Sequence, residues 1–179
     1  AARVIVLPPQ VVFEQLSANA RSRNFDSASF ESALVSAASA NLGARKYALA
    51  APEGLRSPGA ADWLKQLQPL ASRLARGAIN DDAQNILSQF ETLPDNYLLL
   101  VQFMRVKQGP GGSWNPYSGA IASGMSSTLL QAALISTRTG QVMWKNEVLE
   151  RSEFSANSPR FAKSVDLLYS TLVAQGANQ

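Results

Sequence analysis

The sequence predicts a single α+β domain: a mixed, mostly antiparallel sheet covered by helices, with a C-terminal hairpin and a final helix. The chain has 179 residues, a length that suits one domain with its own core. Strand-like and helix-like stretches alternate in its first part, and consecutive strands precede a last helix in its second part. Those consecutive strands include a local hairpin, which favours a mixed sheet over a doubly wound parallel one.

The first part of the chain predicts strands on either side of a helix. The β-branched run from Arg3 to Pro9 is typical of a buried strand that ends at two prolines. The run 11–16 is either a second short strand or an irregular edge. A helix is expected from Asp26, with that aspartate or the next serine as its cap, and is expected to end at Gly43. Residues 46–52 then predict another strand.

Residues 53–95 predict a helical insert within the domain. An apolar stripe marks its first helix, and Pro69 is expected to kink or split that helix. Gly77 is expected to end it. A second helix is expected to begin at Asn80 or at the aspartate after it, with an apolar face turned inward.

The second part of the chain contains the strongest strand pattern, residues 96–108, whose first half is apolar on both faces and therefore predicts a central strand. Residues 109–119 are rich in glycine and proline and predict a long loop. Two alternating strands follow around Thr139 and Gly140, where the glycine is expected to adopt a positive φ. Pro159 begins the final helix.

The composition excludes several classes of active site. The sequence contains no histidine and no cysteine, which rules out a Ser-His-Asp triad, a thiol nucleophile and a thiolate metal site. The net charge of +3 comes from 16 basic and 13 acidic residues scattered along the chain, a distribution that does not indicate a nucleic-acid partner. We therefore expect a protein that is not an enzyme and needs no cofactor and no metal.

Carboxylates are the remaining catalytic candidates, since aspartate and glutamate alone can hydrolyse glycosides. The candidates are Asp81, Asp82, Glu147, Glu150 and Glu153. The two aspartates lie where a helix is expected to begin, and acidic residues there are favoured by the helix dipole. Glu147 and Glu153 fall on an alternating strand and are expected to face solvent, so catalysis is the weaker interpretation.

Three aromatic residues stand out. Trp114 and Tyr117 lie in the loop 109–119, and exposed aromatic residues often anchor partners. Two interpretations stay open: the loop binds a partner, or its rings fold back and cover the sheet. Trp144, in the hairpin, is expected to pack under a helix as part of the scaffold formed with Thr139 and Gly140.

The segments "VLPP", "YLLLVQF" and "STRTGQVMW" together resemble a known arrangement. They are similar to the periplasmic lipoprotein domains related to the curli-secretion lipoprotein CsgG, the penicillin-binding-protein activator LpoB and the TolB N-terminal domain. In those families a "D-x-x-TG-x-x-x-W" segment marks the hairpin after the strand "aDyvl.g". Residues 95–99 stand near the strand position, and residues 136–140 with Val142 and Trp144 stand at the hairpin position. Ser136 or Thr137 replaces the usual aspartate.

The resemblance implies a sheet with helices on one side, a periplasmic location associated with the outer membrane, and a lipid anchor upstream of residue 1. It also implies protein partners in the cell envelope, a possible homo-oligomer, and a role in secretion or assembly without catalytic residues. Because the sequence begins Ala1-Ala2, we expect a processed N-terminus. Two alternatives remain: a regulatory activator of a cell-wall synthase, and a carboxylate-dependent glycan hydrolase.

Overall fold

A mixed sheet of six strands organises the molecule. The computed structural model describes residues 3–15, 27–49, 60–77, 96–107, 126–151 and 154–176. Its elements, in chain order, are β1 (Arg3–Val6), β2 (Gln10–Gln15), α1 (Ser27–Ala44), β3 (Ala48–Leu49), α2 (Ala60–Ala75), β4 (Asn96–Lys107), β5 (Ser126–Ser136), β6 (Val142–Glu150) and α3 (Pro159–Tyr169).

The strand order is β3-β1-β4-β5-β6, and β2 also pairs with β4. The pairs of β1 with β3, β1 with β4 and β2 with β4 are short and parallel, whereas β4–β5 and β5–β6 form long antiparallel ladders. The open mixed sheet with its C-terminal hairpin and final helix confirms the predicted fold class. The sequence left two interpretations for the run 11–16, a short strand or an irregular edge. The structure shows a strand there, β2.

One extra residue separates β1 from β2 along the same side of β4. Val6 pairs with Leu99 and Gln10 pairs with Gln102, so four steps on one side match three on the other. Pro8 and Pro9 occupy this irregularity, where a residue without an amide hydrogen is tolerated. Because a one-residue shift exchanges the faces of a strand, the extra residue determines which side chains of β2 point to which face.

Two cores lie on opposite faces of the sheet. The first core joins the sheet to α1 and α3, and the second joins it to α2. In the first core the helices contribute Phe30, Leu34, Ala38, Leu42, Phe161, Val165, Leu168 and Tyr169. In the second core α2 contributes Leu67, Ala71 and Leu74. Helices therefore cover both faces, and the implied arrangement with helices on one side only is wrong for this chain.

Helix α2 continues through Pro69, so the expectation that this proline splits the helix is wrong. The proline side chain is exposed, and the turn around it is fixed by the burial of Leu67 and Ala71 against the sheet. A proline ring on the solvent face is compatible with a helix whose opposite face is held by packing. Gly77 follows the helix with a φ of 80°, as a C-terminal glycine does. The helix expected from Asn80 lies outside the described residues.

Helix α1 ends at Ala44 through a Schellman motif, and Gly43 is not its end. The amide of Tyr47 donates to the carbonyl of Leu42 (3.0 Å), and the amide of Lys46 donates to the carbonyl of Gly43 (3.0 Å). This pattern places Lys46 at the left-handed position, with a φ of 64°. The helix thus extends one residue beyond Gly43, and the left-handed residue that ends it is Lys46 and not this glycine.

Candidate functional site

The β5–β6 hairpin is closed by a turn that contains Thr139 and Gly140. The amide of Gly140 donates to the carbonyl of Ser136 (2.9 Å), and the amide of Ser136 donates to the carbonyl of Gln141 (2.9 Å). The Ser136 hydroxyl accepts a bond from the amide of Thr139 (3.4 Å). Gly140 has a φ of 69°, in the left-handed region that favours glycine. This turn positions the start of β6.

An irregularity in β6 follows the turn. Leu134 pairs with Trp144 and Ile135 pairs with Val142, which leaves Met143 as the extra residue of a β-bulge. The Met143 side chain is 53% exposed, although it lies beside one of the largest aromatic side chains of the sheet. The bulge therefore turns an apolar side chain toward solvent at the hairpin end of the molecule.

Trp144 packs against α3. Its indole stacks on Tyr169, with ring centroids 5.8 Å apart and an interplanar angle of 18°. Its Nε1 donates to Oγ1 of Thr171 (3.0 Å). Trp144 is thus half-buried, with its ring against the end of α3.

A cavity of about 300 Å³, which we call the hairpin groove, opens beside Trp144. It has an aromatic floor and a mouth where Met143 and Val173 are 53% and 54% exposed. Its lining consists of Tyr47, Tyr97, Leu134, Met143, Trp144, Leu172, Val173, Ala174, Gln175 and Gly176. The groove therefore combines flat aromatic surface with flexible apolar side chains.

The C-terminal segment that forms one wall of the hairpin groove is fixed by the end of α1. The Nε of Arg45 donates to the carbonyl of Leu172 (2.9 Å), and the hydroxyl of Tyr47 donates to the carbonyl of Val173 (2.9 Å). The amide of Gln175 donates to the carbonyl of Arg45 (3.0 Å). Partial burial, and then the neighbouring Tyr97, raise the pKa of Tyr47, while Arg45 lowers it. The phenol therefore stays a hydrogen-bond donor at neutral pH.

A second groove, of about 470 Å³, lies between the β1–β2 irregularity and the first half of α1. Pro8 and Pro9 form one wall, and Glu31 and Val35 lie on the other. Val35 is 39% exposed. None of the described residues that line this groove is aromatic, and they offer fewer large apolar contacts than those of the hairpin groove.

The carboxylate candidates do not come together in the part of the chain that the structure describes. Glu147 is exposed on β6, and Glu150 accepts a hydrogen bond from the Ser164 hydroxyl (3.0 Å). Asp81, Asp82 and Glu153 lie outside the described residues. Over the ranges described, acidic side chains form no group of three that could hold a metal ion. Among the helices described, none has the length and apolar character needed to cross a membrane.

Trp114 and Tyr117, the predicted partner-binding residues, and the whole loop 109–119 also lie outside the described residues. The strands on either side show where the connection begins and ends, since Lys107 pairs with Ser126. At the other end of the same ladder Tyr97 pairs with Ser136, next to the hairpin groove. The two candidate regions therefore start from opposite ends of β4, about 30 Å apart.

Sequence reasoning missed most of the hairpin groove. Tyr97 could have been found, because it alternates with the inward-facing Leu99 on the strand that the sequence predicts best. Tyr47 and Val173 gave no local signal. They meet the hairpin only through contacts between distant parts of the chain, such as the hydrogen bond from Tyr47 to Val173.

Several solved structures are similar to the chain. The lipoprotein GNA1162 from Neisseria meningitidis has 13% identity and a TM-score of 0.42, over 97% of this chain and 100% of that one. The C-terminal domain of LpoB from Salmonella enterica has 14% identity and a TM-score of 0.37, over 85% and 84% of the two chains. The PelC dodecamer from Paraburkholderia phytofirmans has 15% identity and a TM-score of 0.34, over 96% and 87%.

No protein-family model and no curated protein sequence matches the chain.

Proposed function

We propose that the chain is a non-enzymatic domain of an outer-membrane-associated periplasmic lipoprotein, and that it acts through contacts with other envelope proteins. The observation that carries this proposal is the hairpin groove, where Met143 and Val173 expose apolar surface beside the aromatic ring of Trp144. Large aromatic and flexible apolar side chains around a pocket are typical of the centre of a protein interface. The periplasmic location and a lipid anchor upstream of residue 1 are supported by the resemblance of residues 136–144.

The chemistry of the hairpin groove favours an apolar side chain of a protein partner. Its walls bring aromatic faces and a methionine together, and the backbone of the segment 172–176 forms one rim. The hydrogen bonds from Arg45 and Tyr47 hold that rim in place before any partner arrives. A pre-formed apolar site loses little conformational entropy on binding, which is the condition for a useful contact in a small groove.

The loop 109–119 is proposed as a second contact surface, with Trp114 and Tyr117 as its anchors. Long loops in compact domains tend to carry function, and this one begins at the end of β4 opposite to the hairpin groove. A protein with contact surfaces that start from opposite ends of β4 is suited to connecting two components of an envelope system.

The groove is tested by placing a photo-crosslinking amino acid at Met143 in the protein produced in its own cell envelope. A matched control carries the same amino acid at Val35, an exposed apolar position in the other groove. We expect a defined adduct with an envelope protein from Met143, and loss of that adduct when Val173→Ser is added. Equal adducts from both positions, or none from Met143, would contradict the groove as a contact site.

The loop is tested by the double substitution Trp114→Ala and Tyr117→Ala. If these rings bind a partner, association weakens while the melting temperature changes little. A sharp drop in melting temperature with unchanged association per folded molecule would show that the rings belong to the core.

Regulation of a cell-wall synthase is the second candidate role. It is supported by the same resemblance of the hairpin segment, and it predicts direct binding to a purified inner-membrane synthase. Retained binding of the protein to such a synthase, together with its loss in Met143→Ser, would favour this role over a general assembly role.

A further inference from the structure

Strand β6 is the last strand of the sheet, and among the described residues no strand pairs with its outer edge. It is nine residues long, Val142–Glu150, and most of its side chains are exposed. The outer edge of such a strand presents backbone N–H and C=O groups that can pair with another chain. Its side chains determine which partner strand fits.

The sequence of β6 is complementary to itself when a second copy lies antiparallel with Asn146 opposite Asn146. In this register Lys145 lies opposite Glu147 of the copy, and the symmetry repeats that pair on the other side of the centre. Trp144 then lies opposite Val148. Opposite charges and aromatic–β-branched pairs are among the cross-strand pairs that stabilise antiparallel sheets.

Neighbouring registers are disfavoured by the same charges. A shift of two residues in one direction places Lys145 opposite Lys145 of the second copy. A shift of two residues in the other direction places Glu147 opposite Glu147 of the second copy. Like charges directly opposite each other are destabilising. Both side chains are exposed on β6 and project to the α2 side of the sheet, where Nζ of Lys145 donates to the carbonyl of Ala75 (3.3 Å). The ammonium group has further hydrogens to donate to a carboxylate.

We propose that β6 is the interface of a symmetric dimer, in which two copies of this chain form one continuous sheet around a two-fold axis at Asn146. A two-fold contact between identical strands is closed, so it produces dimers and not open filaments. This inference goes beyond the proposed function, because it needs neither the envelope location nor a partner in the hairpin groove.

The test measures the mass of the purified chain by sedimentation over a range of concentrations. We expect a dimer in the wild-type chain and a dissociation constant at least about tenfold weaker in Lys145→Glu and in Glu147→Lys, since each places like charges across the two-fold axis. The double variant with both substitutions should recover dimerisation. Lys163→Glu, the same charge change on the exposed side of α3, is the matched control and should leave the dimer unchanged.

Mixing the two single variants gives the sharpest result. In a mixed dimer every residue at position 145 faces an opposite charge at position 147, so the mixture should associate although each variant alone does not. A wild-type chain that stays monomeric, single variants that dimerise as well as the wild type, or a mixture that stays monomeric would each overturn the proposal. Photo-crosslinking from Met143 to an envelope protein in Lys145→Glu separates this outcome from the fate of the proposed function.

Discussion

Arg105 contacts Phe154 in two ways: its Nη2 donates to the backbone carbonyl (2.7 Å), and its guanidinium carbon lies 5.2 Å from the centroid of the phenyl ring. Two further rings surround the same group, Phe30 at 5.1 Å and Phe103 at 5.3 Å. Its Nε donates to Oγ1 of Thr128 (3.2 Å), and the residue is only 3% exposed. A cation is thus held inside the first core by stacking and directed hydrogen bonds.

Arg105→Lys is expected to lower the free energy of unfolding by about 2–4 kcal/mol, although the charge is conserved. An ammonium group has no planar surface to stack on three phenyl rings, and it cannot reproduce the separate Nε and Nη2 donors. Urea unfolding monitored by circular dichroism measures the change. Arg160→Lys, at an exposed position on α3, is the control and should stay within about 0.5 kcal/mol of the wild type. A similarly small effect at Arg105 would contradict the importance of the stacking.

Trp144 and Tyr169 are expected to be energetically coupled. Their parallel rings should give a coupling free energy of about 0.5–1.5 kcal/mol in a double-mutant cycle of Trp144→Leu and Tyr169→Leu. The control cycle combines Trp144→Leu with Phe103→Leu. Leu99 of β4 lies in line with Trp144 across the sheet. Phe103 is four residues, or about 13 Å, further along β4 from Leu99, so its ring is remote from that of Trp144. Coupling of equal size in both cycles would show that it does not come from the ring contact.

Tyr169 is expected to make the protein sensitive to alkaline pH. Burial raises the pKa of its phenol above the ordinary value of about 10, and the nearby Arg45 opposes this only in part. Above about pH 10 the unfolded chain loses this proton while the folded chain keeps it, so the free energy of unfolding falls as pH rises. The decline contributed by one such group approaches about 1.4 kcal/mol per pH unit. Urea unfolding at several pH values measures it.

Tyr169→Phe is the matched variant and should show a shallower alkaline decline. At neutral pH it should be as stable as the wild type or slightly more stable, because the Tyr169 hydroxyl is buried without a hydrogen-bond partner among the described residues. Parallel declines in the two proteins would assign the alkaline sensitivity to other groups.

Gly140→Ala is expected to destabilise the protein by about 1 kcal/mol or more. The φ of 69° at this position strains any residue with a β-carbon, and the hairpin turn cannot change it without breaking the bond from Gly140 to Ser136. Thermal unfolding measures the loss.

Lys46→Gly is the control, since it removes a β-carbon from a residue with positive φ where Gly140→Ala adds one. Lys46 has a φ of 64° at the left-handed position of a helix end, so glycine should relieve strain there and leave stability unchanged or raised by up to about 1 kcal/mol. A loss at Lys46 as large as the loss at Gly140 would show that backbone conformation does not decide either result.

The prediction that the final helix begins at Pro159 is confirmed, because a proline fits the first turn of a helix. Ser158, which the sequence analysis did not single out, caps α3 through a bond from the amide of Phe161 (3.2 Å). The end of α1 lies one residue beyond the expected glycine, because Lys46 and not Gly43 adopts the left-handed conformation there. Pro69 does not split α2, because Leu67 and Ala71 hold the helix against the sheet on either side of it.

The hairpin groove could be predicted only in part, since its residues come from four separated stretches of the chain. The sequence identified Trp144 and the turn at Gly140. Tyr47 and Val173 join them through the hydrogen bond between the end of α1 and the segment after α3, and no pattern in either stretch points to the other. The choice of Trp114 and Tyr117 stays a prediction.

The two sides of β4 must assemble by different routes. On one side β5 and β6 are joined by a short turn, so their ladder forms by closing a small loop. On the other side β1 pairs with a strand about ninety residues later in the sequence, because Arg3 pairs with Asn96. Closing long loops costs more entropy before any contact compensates it, which makes the hairpin side the natural folding nucleus. We therefore expect φ-values from folding kinetics to be high for Val148→Ala and near zero for Val4→Ala. The reverse order would place the nucleus at the amino-terminal strands. Folding would then begin only after β1 has paired with β4, about ninety residues further along the chain.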